Sequence, residues 1–238
     1  MQRPPRPRAI GPDTTPDAAR RLTPTRVAAW LHPGVRRVAT TIPARQQAWA
    51  EHNARQADAA GPLWVSLGDS TVVGIGATHL ERTAAAIVHR RLCEHTGEPW
   101  RLRNLGRYGA KLDAVVREQL PRLHEWGAPA LVTVAAGSND IVWSWGLRGF
   151  HDAMRELLDA VPVGTVVGTV PPGWWGKGLR ANDWLRAEAA GRGLRVAEVG
   201  VLPQLRRMVA ADGFHPNDAG YRFIADGVLG ALGIPTTG

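Results

Sequence analysis

One cysteine, Cys93, occurs in the 238 residues, so no internal disulfide is possible, and its place in a predicted helix reads as ordinary packing. Long apolar runs are also missing. None approaches the roughly 20 residues that a membrane-spanning helix needs. Residues 1–10 are rich in arginine and proline, but no apolar segment follows them. That argues against a secretory signal and leads to the expectation of a cytoplasmic protein with no stable membrane insertion. Lysine is nearly absent, with only Lys111 and Lys177. Tyrosine and phenylalanine are scarce at two and three residues, whereas tryptophan is used ten times.

The formal charge of +8 arises from 29 basic and 21 acidic residues. Ten arginines and four acidic residues fall in residues 1–60, which leaves 19 basic and 17 acidic beyond them. The excess therefore sits at the N-terminal end, and the rest of the chain is close to neutral. No zinc-finger spacing or RNA-binding signature accompanies the charge, so nucleic acid is not an expected partner.

Residues 1–16 lack periodicity and read as a disordered basic tail. Residues 17–60 read as a helical extension, with helices over 17–32 and 43–59. In the second, Pro43 suits the first turn, and Ala44, Ala48 and Trp49 form a narrow apolar stripe. A brace on the sheet is the default role of the extension; a lid and a dimer contact remain open. Residues 61–238 then alternate short apolar runs with helical patterns. Strands are expected at 63–67, 100–105, 130–135, 164–170 and 194–199. Helices are expected at 78–95, 112–126, 150–161, 181–191 and 218–232. The arginines within 100–105 weaken that strand. Five strands alternating with helices predict a parallel, doubly wound, flavodoxin-like sheet in a three-layer α/β/α sandwich. Ligand sites in such sheets form beyond the carboxyl ends of the strands.

Four polar segments lie near those ends or before a helix. Gly68-Asp69-Ser70 follows the first strand and presents a hydroxyl at a helix start, where N–H groups and the helix dipole favour negative charge. Ser70 is the candidate nucleophile; the plain alternative is a helix cap. Asp69 beside it is expected to hold the loop. Asp212 precedes His215 by three residues, close enough to hold Nδ1 while Nε2 faces Ser70, so His215 is the candidate base and Asp212 its acid. Asn139, in Gly137-Ser138-Asn139-Asp140, offers an amide donor to an oxyanion; its alternative is a turn residue. In Asn104 to Gly109, both Gly106 and Gly109 permit the close backbone approach an oxyanion N–H requires. Trp143 and Trp145 follow the third strand, and Trp174 and Trp175 follow the fourth. Trp143, Trp174 and Trp175 are candidate walls of a substrate cleft, with core packing as the alternative. Arg107, Arg148 and Lys177 read as solvated rim charges.

In this order the segments resemble the SGNH (GDSL-type) hydrolases, over residues 63–232. The resemblance matches Ser70, Gly109, Asn139 and His215 to the four residue types that name the family, and Asp212 to its triad acid. It selects Gly109 as the backbone donor, with Gly106 as the fallback, and adds the Ser70 N–H. Thr71 departs from the family's Gly-Asp-Ser-Leu, at a position outside the chemistry. The resemblance implies a serine esterase or lipase-like hydrolase without metal or cofactor, acting on small-molecule esters, with short acyl or acetyl esters favoured. An acyltransferase with an alcohol or sugar acceptor, and a non-catalytic binding module, are the alternatives. The oligomeric state stays open.

Overall fold

The computed structural model describes residues 32–143, 147–173 and 176–236, with the backbone alone for Trp143. The predicted tail and most of the first predicted helix lie outside that range.

Five strands alternate with helices. Their ranges are β1 (Leu63–Gly68), β2 (Arg101–Asn104), β3 (Leu131–Ala135), β4 (Val166–Gly168) and β5 (Arg195–Ala197). All neighbours pair in parallel, in the order β2-β1-β3-β4-β5. This is the doubly wound order in which the chain reverses direction beside β1, at the β1/β3 switch point.

Every residue of β1 is buried, as a central parallel strand demands. Leu63, Val65 and Leu67 enter one core layer and Trp64 the other, following the two-residue period of a strand. The first layer packs under α7 (Arg148–Ala160) and α8 (Lys177–Gly191). The second packs under α2 (Ile42–Gln56), α4 (Ala84–Thr96) and α10 (Asp218–Leu232). Along α4, Ala84, Val88 and Leu92 are buried at the three- and four-residue spacing of one helix face.

The arginines of β2 are explained by its edge position. Arg103 is buried, donates to the Arg122 carbonyl, pairs with Glu125 and stacks over Trp126 at 4.7 Å. Arg101 reaches the carbonyls of Gly61 and Ala57. An edge strand has one open flank, and here long cationic side chains wrap it.

The continuous helix expected over 112–126 is broken. A single turn, α5 (Leu112–Ala114), passes into a π turn over Val115–Gln119 and a 3-10 turn over Leu120–Arg122. Pro121 has no N–H to continue the ladder, and its ring crowds the carbonyl four residues earlier. The irregular winding places Gln119 in the core, where its amide bonds both the N–H and the C=O of Gly68, at 2.8 and 2.9 Å. The stripe on α2 also differs from the one expected. Ala44 is exposed, and the buried face carries Arg45 and Trp49.

Four shorter helices also lie among the described residues: α1 (Pro33–Ala39), α3 (Ser70–Val73), α6 (Ser138–Trp143) and α9 (Leu205–Met208). No helix among the described residues is long and apolar enough to cross a membrane.

Candidate active site

Ser70 is the first residue of α3, directly beyond β1, and is 5% exposed. It does not cap that helix. Asp69 does, with Oδ1 accepting the Thr71 N–H at 2.8 Å. The Ser70 hydroxyl is therefore not committed to capping. The turn requires glycine at position 68, because a Cβ there would lie 2.1 Å from the Ala135 carbonyl oxygen.

His215 lies on a tight loop between α9 and α10. The loop closes through an antiparallel bridge of Val209 with Pro216, and through the Ala210 N–H to the His215 carbonyl at 2.7 Å. Asn217 caps α10 and also donates to the carbonyls of Arg207 and Val209. Within the loop, Asp212 Oδ2 stands 2.6 Å from His215 Nδ1. Its Oδ1 accepts the N–H groups of Phe214 and His215, each at 3.0 Å. Burial pushes the Asp212 carboxyl up, but the His215 ring and the two backbone N–H groups outweigh it and hold the group below its usual range. With a carboxylate on Nδ1, the ring keeps its free position at Nε2.

Gly106 and Gly109 are separated by their surroundings. The Gly106 N–H already donates to Asn104 Oδ1 at 2.9 Å. Gly109 is exposed with φ +73°, and nothing lies within 4 Å of a Cβ placed there. The backbone conformation, and not space, calls for glycine at that turn. Asn139 is 9% exposed and donates one amide hydrogen to the Ala110 carbonyl at 2.9 Å. Asp140 Oδ2 accepts the Leu112 N–H at 3.1 Å. These two bonds fasten the start of α6 to the Gly109 turn. The same turn is fastened to the Ser70 side by the Arg107 N–H on the Gly68 carbonyl at 3.1 Å.

Ser70 and His215 are walls of one cleft of about 400 Å³ at the carboxyl ends of the strands. Its remaining wall is mainly apolar and includes Val142, Pro171, Pro172, Val199, Leu202 and Ile224. Val201, Leu205 and Phe214 border the cleft and are each more than two-fifths exposed. Gly109 and Asn139 are not among the walls of this cleft. Trp174 and Trp175 lie outside the described residues, as does the Trp143 side chain. Of the three expected rim charges, Arg107 is exposed and pairs with Glu118 at 2.9 Å, and Arg148 is exposed. Lys177 departs from expectation: it is 7% exposed, at the start of α8.

Two features of the site escape sequence reasoning. Tyr108 sits beside the His215 ring, with centroids 6.0 Å apart and planes tilted by 34°. Its only signal is an aromatic residue inside the Asn104–Gly109 segment. The apolar wall over 199–205 had a clearer one, since Val199, Val201 and Leu202 extend an apolar run past the end of β5 where a polar loop is usual.

Asp69 is fully buried, and its Oδ2 has no hydrogen-bond partner among the described residues. Burial raises its carboxyl to about 6, against the opposing pull of Thr71 and of the His215 ring. An ordinary aspartate titrates near about 3.9. Between those two values the unfolded chain has released a proton that the folded chain keeps, so this group's contribution to stability falls as pH rises. Above about pH 6 both states are ionised and the penalty is constant. Asp69→Asn carries no titrating group but still presents an oxygen to Thr71. Urea midpoints should therefore move in favour of the variant, relative to wild type, between about pH 4 and about pH 7. A difference that stays constant across that window would show that Asp69 titrates normally.

Residues 66–223 match the GDSL-like lipase/acylhydrolase family. No curated protein matches the chain. Among solved structures, TesA is similar at 21% identity and a TM-score of 0.61, covering 71% of this chain and 97% of its own. The lipase/acylhydrolase from Enterococcus faecalis is similar at 19% identity and a TM-score of 0.58, covering 74% and 100%. The psychrotrophic esterase EstA from Pseudoalteromonas sp. follows at 17% and 0.57, covering 72% and 96%. At these identities the likeness concerns the fold. Those chains are spanned almost whole, whereas about a quarter of this one has no counterpart in them.

Proposed function

This chain belongs to the GDSL-like lipase/acylhydrolase family, and on that premise we propose that it hydrolyses carboxylic esters through an acyl-enzyme on Ser70. The observation that carries this reading is the sharing of one cleft by Ser70 and His215, with Asp212 on the far side of the ring.

In the first step Ser70 Oγ attacks the ester carbonyl while His215 Nε2 takes its proton. Asp212 steadies the imidazolium that forms. The oxyanion is met by the Ser70 N–H at the start of α3, the Gly109 N–H, and the amide hydrogen of Asn139 that Ala110 does not use. Loss of one such donor typically lowers turnover by about 10²–10³. The tetrahedral adduct collapses as His215 gives its proton to the leaving alcohol. Water then repeats the sequence at the acyl-serine and releases the acid.

Short acyl esters are the sequence expectation. The apolar wall supports a preference that rises above acetyl, since each methylene buried against it contributes up to about 0.8 kcal/mol, roughly four-fold in kcat/KM. The test is a panel of p-nitrophenyl esters from acetyl to octanoyl, with products analysed with and without an added alcohol. The expected result is free acid as the dominant product and a kcat/KM that climbs from acetyl to butyryl and hexanoyl. A new ester as the dominant product in the presence of alcohol would instead identify an acyltransferase. No turnover of any ester would remove the proposal.

A further inference from the structure

A four-residue helix cannot satisfy its own carbonyls. In α3 the Ser70 carbonyl accepts the N–H groups of Gly74 and Ile75, and the Thr71 carbonyl also accepts Gly74. The carbonyls that follow point away from the helix into the core, where each needs a donor. Four side chains from three different elements supply them. Asn104 Nδ2, at the end of β2, takes the Val72 carbonyl at 2.9 Å. Trp49 Nε1, on α2, takes Val73 at 2.8 Å. The Tyr221 hydroxyl, on α10, takes Ile75 at 2.7 Å. Arg45, also on α2, takes Ala77 at 2.7 Å.

Two of the four donors come from a helix that precedes the family match, which begins at residue 66. Helix α2 is itself fixed in place. Asn53 exchanges two hydrogen bonds with the Asn104 backbone, at 2.8 and 3.0 Å, so that the side chain of α2 pairs with the end of β2 much as a further strand would. Trp49 is 4% and Arg45 is 9% exposed. The helix ahead of it reaches the other arm of the site: a Cβ on Gly34, in α1, would lie 1.9 Å from the Ala211 carbonyl oxygen, next to Asp212. The extension thus abuts both the segment behind Ser70 and the loop that holds Asp212 and His215.

We infer that helix α2 sets the position of Ser70, with Trp49 and Arg45 acting as positioning residues through the carbonyls of Val73 and Ala77. The inference rests on the reading of Ser70 as nucleophile. Neither side chain reaches the substrate. Their effect is to keep α3 from sliding or turning, and displacement of a nucleophile by about 1 Å can lower turnover by about 10²-fold. Substrate binding to the apolar wall, on segments that α2 does not hold, should be little changed.

The test uses the full chain with three substitutions. Trp49→Phe keeps an aromatic ring and removes the donor; Arg45→Met removes the charge and the donor; Arg45→Lys keeps a donor. Active sites are counted with a fluorophosphonate, so that kcat refers to folded enzyme. Trp49→Phe and Arg45→Met should each lower kcat about ten-fold or more, leave KM within about two-fold, and Arg45→Lys should recover most of the loss. Should Trp49→Phe fail to fold, the arginine pair decides. Lower thermal stability with kcat per titrated site unchanged would overturn the inference, making α2 a passive brace. A raised KM at constant kcat would overturn it as well. Labelling that persists in Ser70→Ala is a separate outcome and would sink the nucleophile assignment itself.

Discussion

Ser70→Ala is expected to lower kcat on an activated ester by about 10⁴-fold or more and to abolish covalent labelling by a fluorophosphonate. The substitution removes a single oxygen. It leaves the Ser70 N–H, Gly109 and Asn139 in place to hold an oxyanion, so a weak background hydrolysis by water should survive. Ser70 does not cap α3, and alanine is a good helix former, so the loss of activity should come without loss of fold. Unfolding free energies from urea titration within about 0.5 kcal/mol of wild type would confirm that the effect is chemical. His215→Ala should resemble it in size, because a serine hydroxyl is a poor nucleophile when no base takes its proton. A Ser70→Ala enzyme with more than a tenth of the wild-type rate would show that hydrolysis occurs elsewhere.

Asp212→Asn should lower kcat by about 10⁴-fold while leaving the fold almost intact. The Asp212 carboxylate makes three acceptor contacts. Oδ1 takes the N–H groups of Phe214 and His215, and an asparagine oxygen can replace it there. Oδ2 takes the ring proton on Nδ1 at 2.6 Å, and an amide NH₂ at that position can only donate. The ring must then offer a lone pair at Nδ1 and carry its proton on Nε2, where it can no longer accept one from Ser70. The imidazolium also loses its counter-charge. Steady-state kinetics and the rate of fluorophosphonate labelling should fall together, with KM little altered. A loss below ten-fold would mean that another group orients the ring.

Much of the fold was legible because it depends on local rules. The runs of β1 and β3 are short and mostly apolar, and that of β3 is rich in β-branched residues, as parallel strands buried on both faces usually are. The range of α10 agrees with its sequence signals at both ends, the Asn217 cap and Gly233. The misreadings have local causes as well. Pro121 breaks the ladder of its helix, and the expected stripe of α2 holds Trp49 but omits Arg45, because a buried arginine looks like a solvent-facing residue until its carbonyl partner is known.

The pairing of Asp212 with His215 was legible for the same reason, since the two lie three residues apart and meet within one turn of chain. Between Gly106 and Gly109 the residues alone left both open, and the resemblance selected Gly109; the structure adds that the Asn104 side chain folds back and accepts the Gly106 N–H. The cleft wall from residues 171–172 was out of reach, and the apolar run over 199–202 signalled a wall without showing which space it lines, because an apolar residue in a loop declares its role only when the space beside it is seen.

By itself, the amino-acid order determined which residues carry hydroxyl, imidazole, carboxylate and amide, and that strands deliver three of the four segments to the same rim. Tertiary structure decided the order of the strands that carry them, and it brought Ser70 and His215 to one cleft. Because β1 lies between β2 and β3, the Ser70, Gly109 and Asn139 segments emerge from adjacent strands, which in a sheet stand about 4.8 Å apart. The pairing order comes from how the crossovers pack their helices against each face, and no stretch of sequence shorter than the whole domain contains that information.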